Sequence, residues 1–282
     1  MLKWTVGDVE ITQVVETEAA LPIDILFPGA EPAALEELPW VKPFLDEQQF
    51  ARLGINSYLV QTSDRRIIVD CCAGNDKPRG FPGFNMQSTP FLERLAESGF
   101  PPESIDTVVC THLHVDHVGW NTKLSEGRWV PTFPNARYIV GRDEFEYWRT
   151  QDSSPDERTA FEDSVQPIVD AGLADLVDAG HRIGNDAWLI STPGHTRGHH
   201  SVRVTSRGQE GIISGDMVHH PAQIGRPEWA CFLDYDGQMS ADVRRKVFDE
   251  AAAGDYLFVG THFVAPSAGR IVPDGDTWRF DY

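Results

Sequence analysis

Cysteine is scarce in this chain and badly placed for structural bridging. Cys71 and Cys72 are adjacent, Cys110 and Cys231 stand alone, and no C-x-x-C spacing occurs. Neighbouring cysteines do not readily close on each other, so reduced and buried thiols are expected. Basic residues are also in deficit: 24 Lys and Arg face 43 Asp and Glu, a formal net charge of -19. That charge repels phosphate backbones and anionic membrane surfaces, which argues against nucleic acid and membranes as partners. No apolar run reaches the length that spans a bilayer. The opening MLKWTVGDVEITQVV has no uninterrupted apolar stretch and no small-residue cleavage site, so a cytoplasmic location is expected. Repeats and low-complexity segments are missing too, and 282 residues fit a single domain spanning 1–282.

What is present alternates between strand and helix patterns. Residues 1–20 read as a strand pair turning at Gly7-Asp8. From Leu21 to Phe50 the pattern breaks into a Pro-rich, acidic stretch with isolated large apolar groups, Ile25, Phe27, Trp40, Phe44 and Phe50. It reads as a lid or dimerisation arm walling a pocket, or as a loop packed on its own domain. Beyond Gly54, INSYLVQT, RRIIVDCC, DTVVCTH, RYIVG, AWLISTPGH, SVRVTS, EGIISGD and YLFVGTH read as strands. Helical patterns lie between them at TPFLERLAESG, EFEYWRT, Asp156 to Gly172 and about Ser240 to Ala253. Strands in both halves with helices between them predict an α/β sandwich.

Polar, metal-capable residues gather where the buried strands end. VVCTHLHVDHVGW places His112, His114, Asp116 and His117 within six residues of each other. His195 in STPGHTRGH, Asp216 in IISGDMV and His262 in FVGTHF each follow an apolar run and a glycine. Packing alone does not call for three imidazoles and a carboxylate in one short turn, because burying them unpaired is costly. Metal coordination does call for them, and imidazole and carboxylate suit zinc and its neighbours manganese, iron and cobalt. The seven candidates divide naturally: His112, His114 and His195 for one ion, Asp116, His117 and His262 for a second, and Asp216 bridging both. His181, His199, His200, His219 and His220 are left outside this scheme.

These motifs resemble the metallo-β-lactamase fold superfamily, whose H-x-H-x-D-H signature stands here as HLHVDH, with PGHTRGH, SGDM and GTH matching its later ligand motifs. The resemblance implies a four-layer αββα sandwich with a dinuclear site at one edge, and makes Asp70 a residue that orients a ligand. THLHVDHVGWN is most similar to the branch of N-acyl homoserine lactonases and methyl parathion hydrolase. Together with the apolar arm, the resemblance makes a homodimer the expected assembly. One departure concerns substrate: homoserine lactonases carry a tyrosine shortly after the bridging aspartate, whereas this chain reads GDMVHHPAQ.

The expected activity is a dinuclear metal-dependent hydrolase attacking a lactone or ester carbonyl of a small molecule with a metal-bridging hydroxide. Asp116 or Asp216 would carry a proton to the leaving group, and His219 would donate to the oxyanion. Trp120, Phe263 and Trp229, next to the motifs, are candidates for either pocket wall or core. An aryl-ester or phosphotriester hydrolase is the alternative. An iron-dependent dioxygenase on the same fold is the alternative of another class.

Overall fold

The computed structural model describes residues 1–150 and 155–282. The opening alternation forms a hairpin of β1 (Lys3–Val6) and β2 (Val9–Leu21), and β3 (Ala51–Gln61) and β4 (Arg66–Val69) continue it antiparallel. β5 (Thr107–Cys110) then joins β4 in parallel. A separate hairpin, β6 (Thr122–Ser125) and β7 (Arg128–Pro131), precedes β8 (Arg137–Gly141) and β9 (Ala174–Val177), which extend the parallel side. The sheet order is β1-β2-β3-β4-β5-β8-β9.

The second sheet repeats this plan. It comprises β10 (Arg182–Ile183), β11 (Ala187–Ser191), β12 (His200–Ser206), β13 (Gln209–Ile213), β14 (Leu257–Val259), β15 (Ala268–Asp274) and β16 (Thr277–Asp281) in that order, parallel only between β13 and β14.

Side-chain alternation sets the layers. On β5, Val108 and Cys110 face an outer cluster with Phe91, Leu95, Phe145 and Ile168, while Val109 turns inward toward Val202, Val204 and Val259. On the second sheet, Ile212 and Phe258 face outward onto Val247, Phe248 and Ala251 of the helix Gly237–Ala253. Helices thus cover the outer face of each sheet, and the inner faces meet, giving the expected αββα order. Asp236 starts the long helix by accepting the Met239 N–H at 2.9 Å, a cap of about 1 kcal/mol. Among the described residues no helix is long and apolar enough to cross a membrane, and all four cysteines are buried and unbridged.

The segment from 21 to 50 folds back onto its own domain. A short helix, Ile23–Leu26, and two 3-10 stretches, Pro32–Glu37 and Pro39–Phe44, bury Phe27, Val41 and Phe44 completely. His220 Nε2 donates to the Phe44 carbonyl at 2.9 Å and fastens its end.

Candidate metal centre

Five strand ends deliver the polar residues to one edge of the sandwich. Asp70 follows β4, the His112 to His117 turn follows β5, His195 follows β11, Asp216 follows β13, and His262 follows β14. The carboxyl ends of parallel strands converge there, which is where open α/β sheets gather their sites. Gly215 allows one close approach: it sits at φ 54°, and a Cβ on it would meet His199 Nε2 at 2.5 Å.

All seven predicted residues come together. His114 Nδ1 lies 3.0 Å from His112 Nε2 and 2.9 Å from His195 Nε2. The ligand atoms of His112, His114 and His195 fall within 4.8 Å of one another, and so do those of Asp116, His117 and His262. Asp216 stands between the two sets. Its Oδ1 is 3.2 Å from His117 Nε2, His262 Nε2 is 3.1 Å from both of its oxygens, and its Oδ2 is 3.8 Å from His112 Nε2 and 3.5 Å from His195 Nε2.

Burial and the surrounding imidazoles hold His112 and His114 well below the usual histidine range, and burial lowers His195 as well. Neutral imidazoles offer free lone pairs. At His117 burial is outweighed by Asp216, Asp116 and Asp70, which raise it well above. Burial works against the charge of Asp216, yet His117, His262, His219 and His112 keep its carboxyl well below the usual range. His117 Nε2 and Asp216 Oδ1 are buried without an aligned hydrogen bond. Buried polar atoms normally find partners, and divalent cations between these converging donors fit that need.

A family model described as the metallo-beta-lactamase superfamily matches residues 51–278. The chain belongs to the metallo-beta-lactamase superfamily. The N-acyl homoserine lactonase AttM of Rhizobium radiobacter is 34% identical over 116 residues, 40% of this chain and 41% of that protein. A probable metallo-hydrolase of Mycobacterium tuberculosis is 25% identical over 177 residues, 57% of this chain and 56% of its own length. The chain thus spans about two-fifths of the AttM lactonases it matches. Among solved structures, the hydrolase AbOPH of the beta lactamase superfamily superposes with a TM-score of 0.83 at 26% identity, covering 99% of this chain and 96% of that one. AidC, a dizinc quorum-quenching lactonase solved with its product, reaches 0.80 at 18% identity over 99% and 96%; at that identity the likeness is one of fold.

Around the superfamily motifs stands a layer of supporting residues, most of which the sequence does not announce. Asp70 was expected to orient a ligand, and its contacts are of that kind: Oδ2 accepts from His117 Nδ1 at 3.0 Å and from the Thr111 hydroxyl at 2.9 Å, and that hydroxyl is 3.1 Å from His112 Nδ1. His262 Nδ1 donates to the Gly54 carbonyl at 2.9 Å. His199, left outside the ligand scheme, accepts the Asp216 N–H at 2.8 Å and donates from Nδ1 to the Thr192 carbonyl at 3.0 Å. Two carboxylates escape sequence reasoning altogether. Asp234 Oδ1 accepts from His195 Nδ1 at 3.1 Å. Glu144 accepts from Leu113 N, Trp148 Nε1, Thr196 Oγ1 and Gly198 N, tying the two main histidine loops together.

A cavity of about 260 Å³ opens over the superfamily site. His114, Asp116, Asp216, His219 and His262 face it from the metal-centre side. The walls are apolar: Leu21 and Leu26 from the folded-back segment, Phe81 and Phe84, Leu53 and Ile55, then Phe232 and Leu233. Trp120, Phe263 and Trp229 are not among the lining residues. Trp120 stacks on Phe91 and donates to Glu16; Phe263 packs with Phe44, Phe258 and Phe280; Trp229 packs on Phe27.

Proposed function

We propose that the chain is a dinuclear hydrolase carrying two zinc ions, which opens the carbonyl of a small, uncharged lactone or ester. The observation that carries this reading is the place of Asp216, whose carboxylate lies within 4 Å of histidines from both halves of the ligand set. His112, His114 and His195 would hold one cation, Asp116, His117 and His262 the other, with Asp216 shared. Bound there, the cations supply Lewis acidity and bring the pKa of water from about 15.7 toward 7.

The chain's own groups do the rest. The apolar walls take the acyl or aryl arm and exclude water from the reacting carbonyl. Among the described residues no Lys or Arg lines the cavity, so the apolar walls offer no guanidinium or ammonium to an anionic arm of a substrate. Asp116, on the pocket side and with its side chain 16% exposed, is the carboxylate placed to pass a proton to the departing alkoxide. Asp216 is enclosed by imidazoles and serves to hold the two halves at a fixed spacing. His219, whose Nε2 is 3.3 Å from Asp216 Oδ2, presents its imidazole to the oxygen that gains charge.

Phe81, Phe84 and Phe232 in the wall, and the lack of a tyrosine among the described lining residues, favour aryl esters or phosphotriesters as a second reading. The test is a panel of γ- and δ-lactones, N-acyl homoserine lactones, aryl esters and a phosphotriester, run on zinc-reconstituted protein beside Asp216→Ala. Two zinc ions per chain and turnover lost in the variant are expected. Turnover that survives in Asp216→Ala overturns the dinuclear mechanism, and a single iron without hydrolysis moves the chain to dioxygen chemistry.

A further inference from the structure

Among the described residues one sulfur atom faces the cavity. Cys231 lines it beside His219, whereas Cys71, Cys72 and Cys110 are sealed in the outer core of the first sheet. The Cys231 thiol, a ring nitrogen of His219 and a carboxylate oxygen of Asp234 lie within 4.8 Å of one another. His219 is only 3% exposed, and neither of its ring nitrogens has a hydrogen bond. Its charged neighbour is Asp216 Oδ2, 3.3 Å from Nε2 without an aligned hydrogen bond, so the buried ring keeps donor capacity that the seven-residue ligand set does not use.

We propose that His219, Cys231 and Asp234 form a third cation site, selective for soft divalent ions such as zinc or cadmium, on the wall beside the hydrolytic pair. The inference rests on the proposed function to the extent that the pair is assigned the seven nitrogen and oxygen ligands. A thiolate with an imidazole selects zinc and cadmium over magnesium or manganese, while the pair has no sulfur donor.

The neighbours make this site weaker than the pair. Asp234 Oδ1 already accepts from His195 Nδ1, its Oδ2 accepts the Cys231 N–H at 3.0 Å, and Arg244 Nη1 stands 3.7 Å from Oδ2. A cation there must share Asp234 with His195 and tolerate the guanidinium. Binding releases the thiol proton to solvent, occupies the cavity wall and takes His219 away from the substrate. Filling the third site is therefore inhibitory: metal beyond the catalytic pair turns the enzyme down.

Cadmium titration of the full chain, previously loaded with zinc at the pair, tests this. Sulfur-to-cadmium charge transfer gives an ultraviolet band that nitrogen and oxygen ligands do not produce. The expected result is a band that saturates at one further cadmium per chain while hydrolysis falls in step. Cys231→Ser and Cys231→Ala should both lack the band and lose the sensitivity to excess metal. No band at any excess, or a band that persists in both variants, would overturn the third site. Failure of the chain to retain two zinc ions before the titration would instead overturn the dinuclear reading itself.

Discussion

His195 Nδ1 is held by Asp234 Oδ1 at 3.1 Å, across 39 positions of sequence. This contact turns Nε2 toward His114 and Asp216. Carboxylates that orient a metal-binding histidine are typically worth about 10–100-fold in metal affinity. Asp234→Asn should weaken one cation by about that factor and leave the other nearly unchanged. Stepwise competition with a chromogenic chelator checks this; equal weakening of both cations would refute it.

Glu144 is a structural node rather than a reacting group. Burial raises its carboxyl above the ordinary range, opposed by hydrogen bonds from Trp148, Thr196, Leu113 and Gly198. In Glu144→Gln the amide nitrogen must face donors that a carboxylate oxygen accepted. An orphaned buried donor costs about 1–3 kcal/mol, so a stability loss of roughly 2 kcal/mol and a Tm lower by roughly 4–8 °C are expected. Calorimetry on the metal-free protein separates this loss from any change in metal binding.

Lys77 is fully buried between Thr122 Oγ1 at 2.9 Å and Asp163 Oδ1 at 3.3 Å, while Arg79 clamps the same aspartate at 2.7 and 2.9 Å. Burial, opposed by Asp163, pulls Lys77 down to about 8. Unfolded, it keeps its proton to about 10.4. Between those values the unfolded chain binds more protons, so stability rises with pH across that window. Lys77→Met should remove that rise, up to about 3 kcal/mol, in urea titrations at successive pH values. Parallel pH slopes for the two proteins would refute the assignment.

Leu26 brings the folded-back segment into the cavity wall. Leu26→Ala removes apolar contact worth about 2 kcal/mol at about 0.8 kcal/mol per methylene. kcat/KM for long-chain or aryl esters should fall roughly 30-fold by that measure, while an acetate ester changes little. An equal loss on both substrates would place Leu26 outside the substrate contact.

Much of this centre is legible in the sequence because its chemistry is unusual for a core. HLHVDH, PGHTRGH, SGDM and GTH put charged and imidazole groups where strands bury apolar ones, and only coordination explains that pattern. The supporting residues carry no such mark. Asp234 and Glu144 are ordinary acids in a loop and a helix, and their partners in the histidine loops lie 31 to 54 positions away. His199 stands inside a motif, yet its service to Asp216 is visible only where the Asp216 N–H meets its ring. The strands missing from the sequence reading, β9, β10, β15 and β16 and the hairpin β6-β7, are short or exposed on one side. Burial patterns such as ADLV with one buried residue, or TWRFD with Phe280 alone, leave little periodicity to read.

The two triads share one further property. Each takes two members from the turn after β5 in the first sheet and one from the second sheet, which also supplies Asp216. Neither sheet owns a complete set of donors, and the chain passes from one sheet to the other between Val177 and Arg182. The centre is therefore a clasp as well as a reaction site. Cations bound there fasten the two halves at their open edge, so occupancy reports whether the sheets have docked in register, and a chain nicked near Gly180 would be held together in part by its own metal.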